Sequence, residues 1–394
     1  MLEIKKYKFY FCPCTQDLYG DECLQHVHEH AEEVVNYLNA SKEIPFEVEL
    51  KPNLLTASMI QQVFNEANND PDCAGIITWA HTFSPSKNYI LGLQDLRKPL
   101  CQFATQYNEE IPYDTIDMDF MNENQAAHGE RELGHIFARM RWNHKVVFGY
   151  WKDPVALTEL GQWQRVAVGI NESRNIRIAR FADTMRNVAV TDGDKIEAQV
   201  KLGWTVDAWP INDLTPYVES VTAAEIKELT DEYYETYGLV LDGRDPEEFR
   251  RHVEVQAAQE IGIERFLVEH NYNAFSDHFG DLGALKQLPS LSIQRLMQKG
   301  FGFGPEGDWK TPGMVRLMKV MTANDPNAKG SALMEDYTYN LVPGKDGILE
   351  SHMSEVDPSM ADGEIKIRAT PLSMGDREDP ARLIFTAKTG LNYR

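Results

Sequence analysis

Cysteine is scarce in this 394-residue sequence, and its five copies, Cys12, Cys14, Cys23, Cys73 and Cys101, all lie in the first third. An odd number of thiols in a long chain does not make a disulfide framework. Cys12-Pro13-Cys14 is spaced too tightly for a CxxC redox or zinc site, so structural thiols are expected. Long hydrophobic runs are missing as well. No apolar stretch approaches a membrane span, and Met1-Leu2-Glu3-Ile4-Lys5-Lys6 lacks a signal-peptide core, so a cytoplasmic protein with no membrane partner is expected. Basic residues are outnumbered, 39 against 61 acidic ones, for a formal charge of −22. That balance argues against nucleic-acid partners, which need Lys and Arg against phosphates. It leaves a neutral small molecule such as a sugar open. No Gly-x-Gly-x-x-Gly follows the first strand signal, which excludes a dinucleotide site of that kind.

What is present is ordinary for a globular protein: 42% hydrophobic and 25% charged residues. The length calls for two or three domains. Tyr7–Cys12, Phe46–Leu50 and Cys73–Ala80 have strand character, the last continuously apolar, as in a parallel sheet covered on both faces. Between them, Asp21–Leu38 and Thr56–Ala67 have helical spacing. This alternation is that of a doubly wound α/β domain, residues 1–172, whose ligands bind beyond the carboxyl ends of the strands. The loops Gln16-Asp17-Leu18-Tyr19 and His81-Thr82-Phe83-Ser84-Pro85 leave such ends.

A second α/β domain is expected over residues 173–329. It has strands at Ile176–Phe181 and Trp204–Trp209 and helices at Asp194–Leu202, Thr222–Tyr237, Pro246–His270 and Ser292–Lys299. From residue 330 to 394 short strand-like pieces alternate with turns, which suggests an antiparallel β domain. Some sixty-five residues are few for a self-standing sandwich, so this domain looks cut short.

Three side chains stand out as candidates for chemistry. Glu306, Glu335 and His352 each sit among small or apolar neighbours, and two carboxylates with an imidazole suit a divalent cation such as Mn²⁺. The carboxylates can equally serve as acid and base in a proton transfer. Elsewhere His26, His28 and His30 form a His-x-His-x-His run. His26 and His30 share a helix face, but Glu29, Glu32 and Glu33 around them point to a solvated polar surface rather than a metal site. His128, before Gly129, is placed either to bond a ligand or to cap a turn.

Longer blocks carry a resemblance. Gln16-Asp17-Leu18-Tyr19-Gly20, His81-Thr82-Phe83-Ser84-Pro85, Ile116–Asn122, Gln125–Gly129, Val188–Lys195, Leu285–Pro289, Gly307–Thr311 and Met334–Tyr339, in this order, resemble the L-arabinose isomerase family over essentially the whole chain. The resemblance implies two Rossmann- or flavodoxin-like α/β domains followed by a partial antiparallel β-barrel domain. It also implies a trimer-based homo-oligomer, commonly a hexamer, with active sites between neighbouring subunits. It implies one Mn²⁺ per subunit on Glu306, Glu335 and His352, with Glu306 and Glu335 as the proton-transferring pair. The sugar would meet Gln16, Leu18, Tyr19, Met185 and Phe279, with Phe83, Gln125 and His128 from a neighbouring subunit. For Met185 and Phe279, core packing is the alternative. The implied reaction is L-arabinose to L-ribulose, with D-galactose to D-tagatose as a side activity. The family's fourth metal ligand is a histidine in a segment beyond residue 394, and no histidine follows His352 here, so the resemblance implies a truncated chain or, failing that, an odd member that closes its site some other way. Two other readings stay open: a non-catalytic sugar-binding protein of the same family and an inactive fragment.

Overall fold

The computed structural model describes residues 5–325, 328, 330–332, 336–352, 356–372 and 377–387. The chain divides into two compact units, Lys5–Asn171 and a second from Glu172 onward.

In the first unit, β1 (Lys8–Cys14), β2 (Glu47–Leu50), β3 (Cys73–Ala80), β4 (Leu100–Ala104) and β5 (Lys145–Phe148) alternate with helices. The helices are α1 (Gly20–Ala40), α2 (Ala57–Asn69), α3 (Tyr89–Asp95), α4 (Met118–Glu123), α5 (Ala126–Met140) and α6 (Pro154–Ser173). The sheet runs β2-β1-β3-β4-β5 with parallel pairing throughout. Strand order reverses between β1 and β3, so the loops that leave these two strands flank the switch point.

Sequence accounts for this locally. Every residue of β3 is buried, which only an apolar run tolerates with helices on both faces. Helix α1 buries Val27, Ala31, Val34, Val35 and Leu38 along one stripe, the spacing of a helix that covers a sheet. Helix α2 begins where the Thr56 hydroxyl accepts the Met59 N–H at 3.3 Å, satisfying an otherwise orphan donor. Cys12, Cys14, Cys73 and Cys101 are buried free thiols. Burial pushes the Cys73 thiol up to about 11, which keeps it protonated and inert.

The second unit contains β6 (Arg177–Phe181), α7 (Lys195–Leu202), β7 (Thr205–Trp209), α8 (Ile211–Glu219), α9 (Ala223–Thr236) and β8 (Gly238–Val240). It continues through α10 (Pro246–Glu269), β9 (Ala274–Ser276), α11 (Leu291–Gln298), β10 (Gly302–Gly304) and α12 (Lys310–Met321). Its parallel sheet is ordered β10-β9-β6-β7. Here the order reverses between β6 and β9, the same winding as in the first unit.

The last segment supplies β11 (Asp336–Asn340), β12 (Gly347–Ser351), β13 (Lys366–Ala369) and β14 (Ala381–Ile384). Among the described residues these close no barrel. Strands β11 and β12 form an antiparallel ribbon, while β14-β13-β8 is a small mixed sheet with β13 parallel to β8. Packing gives the reason. Ile367, Ala369, Ala381 and Leu383 bury their side chains against Tyr233, Phe249, Val253 and Leu291 of α9, α10 and α11. The apolar face of these strands is therefore covered by helices of the preceding segment. Gln294 of α11 extends the pairing: its amide accepts the Leu383 N–H at 2.7 Å and donates to the Leu383 carbonyl at 3.0 Å.

Candidate functional site

In the first unit, the candidate sugar-binding side chains all lie beyond the carboxyl ends of strands. Gln16, Leu18 and Tyr19 occupy the turn that joins β1 to α1. Leu18 is 78% exposed. Phe83 lies in the loop after β3, and the two loops are tied together by a 2.7 Å hydrogen bond between the buried hydroxyls of Thr15 and Thr82. Gln125 precedes α5 and His128 lies in its first turn. The His128 ring lies over Phe83 with centroids 4.2 Å apart, and its Nδ1 is 3.3 Å from the Gln125 side-chain oxygen. The structure thus brings Phe83, Gln125 and His128 into one cluster.

Gly129 allows that approach. A Cβ there would stand 2.9 Å from the Ala80 Cβ, 3.1 Å from the Thr82 carbonyl oxygen and 3.2 Å from the Ser84 nitrogen. The helix start is also fastened by carboxylates. Glu130 accepts the Ala80 N–H at 2.6 Å, and Glu132 accepts the Ser86 N–H at 2.9 Å. Sequence reasoning gave Glu130 no role. Yet it is buried, and burial pushes its pKa up to about 8 against the opposing hydrogen bonds from Ala80 and Gln102. A glutamate directly after the His-Gly pair was the one available signal.

In the second unit, the remaining candidates gather on the loops after β6, β9 and β10. Met185 follows β6 and Phe279 follows β9, and both are half-buried. Phe279 leans on the core of this unit, so packing is part of its role. Glu306 follows β10 in a tight turn. The Asp308 N–H bonds the Pro305 carbonyl at 3.0 Å, and Glu306 and Gly307 have φ of 65° and 71°. Positive φ at both central positions is the pattern of a type I′ turn, which favours Gly, Asn and Asp. A glutamate in that conformation costs on the order of 1–2 kcal/mol.

The three loops meet at Gly307. Its N–H donates to the Asp277 carbonyl at 2.7 Å, and a Cβ on it would fall 2.2 Å from the Asp183 carbonyl oxygen. Lys310 pairs with Asp308 at 2.7 Å and donates to the carbonyls of Val190 and Asp192 at 2.7 and 2.8 Å. Asp308 therefore braces the turn through Lys310 and through Thr311, whose hydroxyl it accepts at 2.9 Å.

His352 follows β12 and is half-buried. The ribbon pairs Asp336 with Ser351, so His352 leaves it at the end where Asp336 enters. Glu335 lies outside the described residues. As chemistry, a donor set of two carboxylates and an imidazole fits Mn²⁺ or a similar divalent ion. The strained backbone at Glu306 is the kind of feature retained at ligand sites.

Two parallel sheets, each with its order reversing in the middle, define a doubly wound α/β protein, a class whose ligands bind beyond the strand ends at such switch points. Family models described as the L-arabinose isomerase N-terminal, central and C-terminal domains match residues 3–175, 177–324 and 330–393. The chain is 50% identical over 390 residues to L-arabinose isomerase 2 of Bacillus licheniformis, covering 99% of this chain and 81% of that protein. It is 49% identical to the L-arabinose isomerase of Geobacillus stearothermophilus (99% and 78% covered) and 48% identical to that of Leuconostoc mesenteroides (99% and 81% covered). The chain belongs to the L-arabinose isomerase family, and it is an isomerase.

Proposed function

We propose that this protein interconverts L-arabinose and L-ribulose, with D-galactose to D-tagatose as a slower reaction of the same site. The observation that carries the reading is the match along 99% of the chain to proteins named L-arabinose isomerase. The turn at Glu306 supports it, because a carboxylate is held there against a backbone preference for other residues.

An aldose becomes a ketose when the proton on C2 leaves, a proton is delivered to C1 and a hydroxyl proton passes from O2 to O1, through an ene-diol. Glu306 and Glu335 are the groups for this work: one carboxylate accepts the C2 proton, and a carboxylic acid returns one to C1. Glu306, Glu335 and His352 would also hold a divalent ion such as Mn²⁺. When bound, that ion stabilises the negative charge that builds on the sugar oxygens. Gln16, Tyr19, Gln125 and His128 supply polar contacts to the sugar hydroxyls, and Leu18, Phe83, Met185 and Phe279 supply apolar walls. We place the protein in the cytoplasm as a trimer-based homo-oligomer, with Phe83, Gln125 and His128 reaching a neighbour's site.

Two outcomes test the reading. Purified protein treated with a chelator is expected to lose ketose formation from L-arabinose, and added Mn²⁺ to restore it. Absence of turnover with every divalent ion tried would refute the L-arabinose reading for this chain. Gly129→Ala is expected to lower kcat/KM on the order of tenfold by pushing His128 off Phe83. Steady-state kinetics with an unchanged far-ultraviolet circular dichroism spectrum would check it.

A further inference from the structure

The His-x-His-x-His run in α1 is not all solvated surface. His30 is half-buried, with the Tyr107 ring stacked on it at a centroid distance of 3.6 Å. Its Nδ1 lies 2.7 Å from Nε2 of His81, the first residue after β3, and 3.7 Å from Oε1 of Glu123, the last residue of α4. These three ligand atoms lie within 4.8 Å of one another.

Hydrogen bonding fixes the state of the buried member. His81 is 1% exposed, and its Nδ1 is 3.0 Å from the Glu123 backbone carbonyl. A carbonyl only accepts, so Nδ1 carries the hydrogen and Nε2 presents a bare lone pair to His30. A ring nitrogen that donates to a backbone carbonyl while the other faces a cluster is the outer-shell arrangement of a metal-bound histidine. Glu123 adds a carboxylate whose other oxygen, Oε2, is 3.2 Å from His26 Nδ1. Three ligand atoms thus converge on one point: at 2.7 Å a hydrogen on His30 Nδ1 joins it to His81 Nε2, and a cation takes that hydrogen's place once the ligands move apart.

We propose that His30, His81 and Glu123 bind a divalent transition-metal ion of the borderline class, Zn²⁺ or Co²⁺, at a second site separate from Glu306. Two imidazoles and one carboxylate are donors that such ions take at about 2.0–2.2 Å. Ligand atoms around a tetrahedral ion stand roughly 3.5 Å apart on those bond lengths, so side-chain shifts of about an ångström complete the site. The ion joins three elements that are distant in sequence: α1, the loop after β3 and the end of α4. Phe83 lies two residues beyond His81, and Gln125 two beyond Glu123. The ion therefore positions the loops that carry two of the sugar contacts. That consequence rests on the isomerase reading, whereas the metal binding does not.

The test uses the full-length protein, stripped with a chelator, reloaded with Co²⁺ and desalted, with bound metal counted by mass spectrometry and the visible d–d absorption recorded. Glu123→Gln and His30→Gln, both at half-buried positions, are expected to hold one ion fewer per chain than the parent. Glu306→Gln is expected to keep the ion that those variants lose. The difference between chains carries the result, so failure of metal binding at Glu306 lowers parent and variants alike and leaves the comparison intact. Equal metal content in the parent, Glu123→Gln and His30→Gln, each with an unchanged circular dichroism spectrum, would overturn the proposal and leave a shared proton in the cluster.

Discussion

Glu306→Asn is expected to give a folded protein, at least as stable as the parent, that no longer forms ketose from L-arabinose. A proposed role and an observed backbone conformation meet at this position. The carboxylate is one of the two groups assigned to the proton transfer, and removing a positioned acid or base costs about 10²–10⁴ in rate. The backbone at Glu306 has φ of 65°, followed by 71° at Gly307. Asparagine enters the left-handed region several-fold more often than most residues. The substitution should therefore recover up to about 1 kcal/mol of strain. Glu306→Gln separates the effects, because it removes the charge but keeps the unfavourable backbone preference. Both variants should lose turnover, and the asparagine variant should melt above the glutamine variant. Ketose assays beside thermal unfolding check both parts. Full activity in either variant would remove Glu306 from the chemistry, and a lower melting temperature for Asn than for Gln would show that the turn holds no strain specific to glutamate.

The same turn shows how much of the site was legible in the sequence. Glu306 stood out because a carboxylate between Pro305 and Gly307 has little structural excuse. The sequence did not reveal that Gly307 is where the loops after β6, β9 and β10 meet, because Asp183, Asp277 and Gly307 are joined only by the sheet order. Long elements were readable. β3 is an uninterrupted apolar run, α1 has a regular stripe, and α9 opens on a capping box between Thr222 and Glu225. Strands β9 and β10, three residues each and wholly buried, are too short to display any period. The pairing of β8 with β13 joins segments more than a hundred residues apart. No local pattern announces it, and the expected partial antiparallel β domain did not include β8 for that reason. The histidine run shows the limit from the other side. Spacing of i, i+4 pointed to His26 with His30, but His30 finds its partner in His81, 51 residues away.

Glu130→Gln is expected to stabilise the protein at pH 8 and to do little at pH 5. The Glu130 side chain is buried at the start of α5, with Oε1 accepting the Ala80 N–H. Among its described neighbours, no hydrogen-bond partner faces Oε2. Burial raises the pKa to about 8, outweighing the hydrogen bonds that favour the charged form. The direction follows from proton counting. Between the usual carboxylate value and about 8, the folded protein holds a proton on Glu130 that the unfolded chain has released. Stability from this group is therefore greatest at acid pH, declines as pH rises through that window, and reaches its minimum above about 8. The full swing is on the order of a few kcal/mol, since each tenfold change in proton affinity between the folded and unfolded chain is worth about 1.4 kcal/mol. Glutamine keeps an acceptor for Ala80 without any charge to bury, so the slope should vanish. Thermal unfolding of parent and variant from pH 5 to pH 9 reads the difference directly, as two melting curves that coincide at acid pH and separate by several degrees at alkaline pH. Parallel curves across the whole range would mean that Glu130 is ionised throughout. In that case the start of α5, and with it His128, would be anchored by a buried charge rather than by a neutral acid.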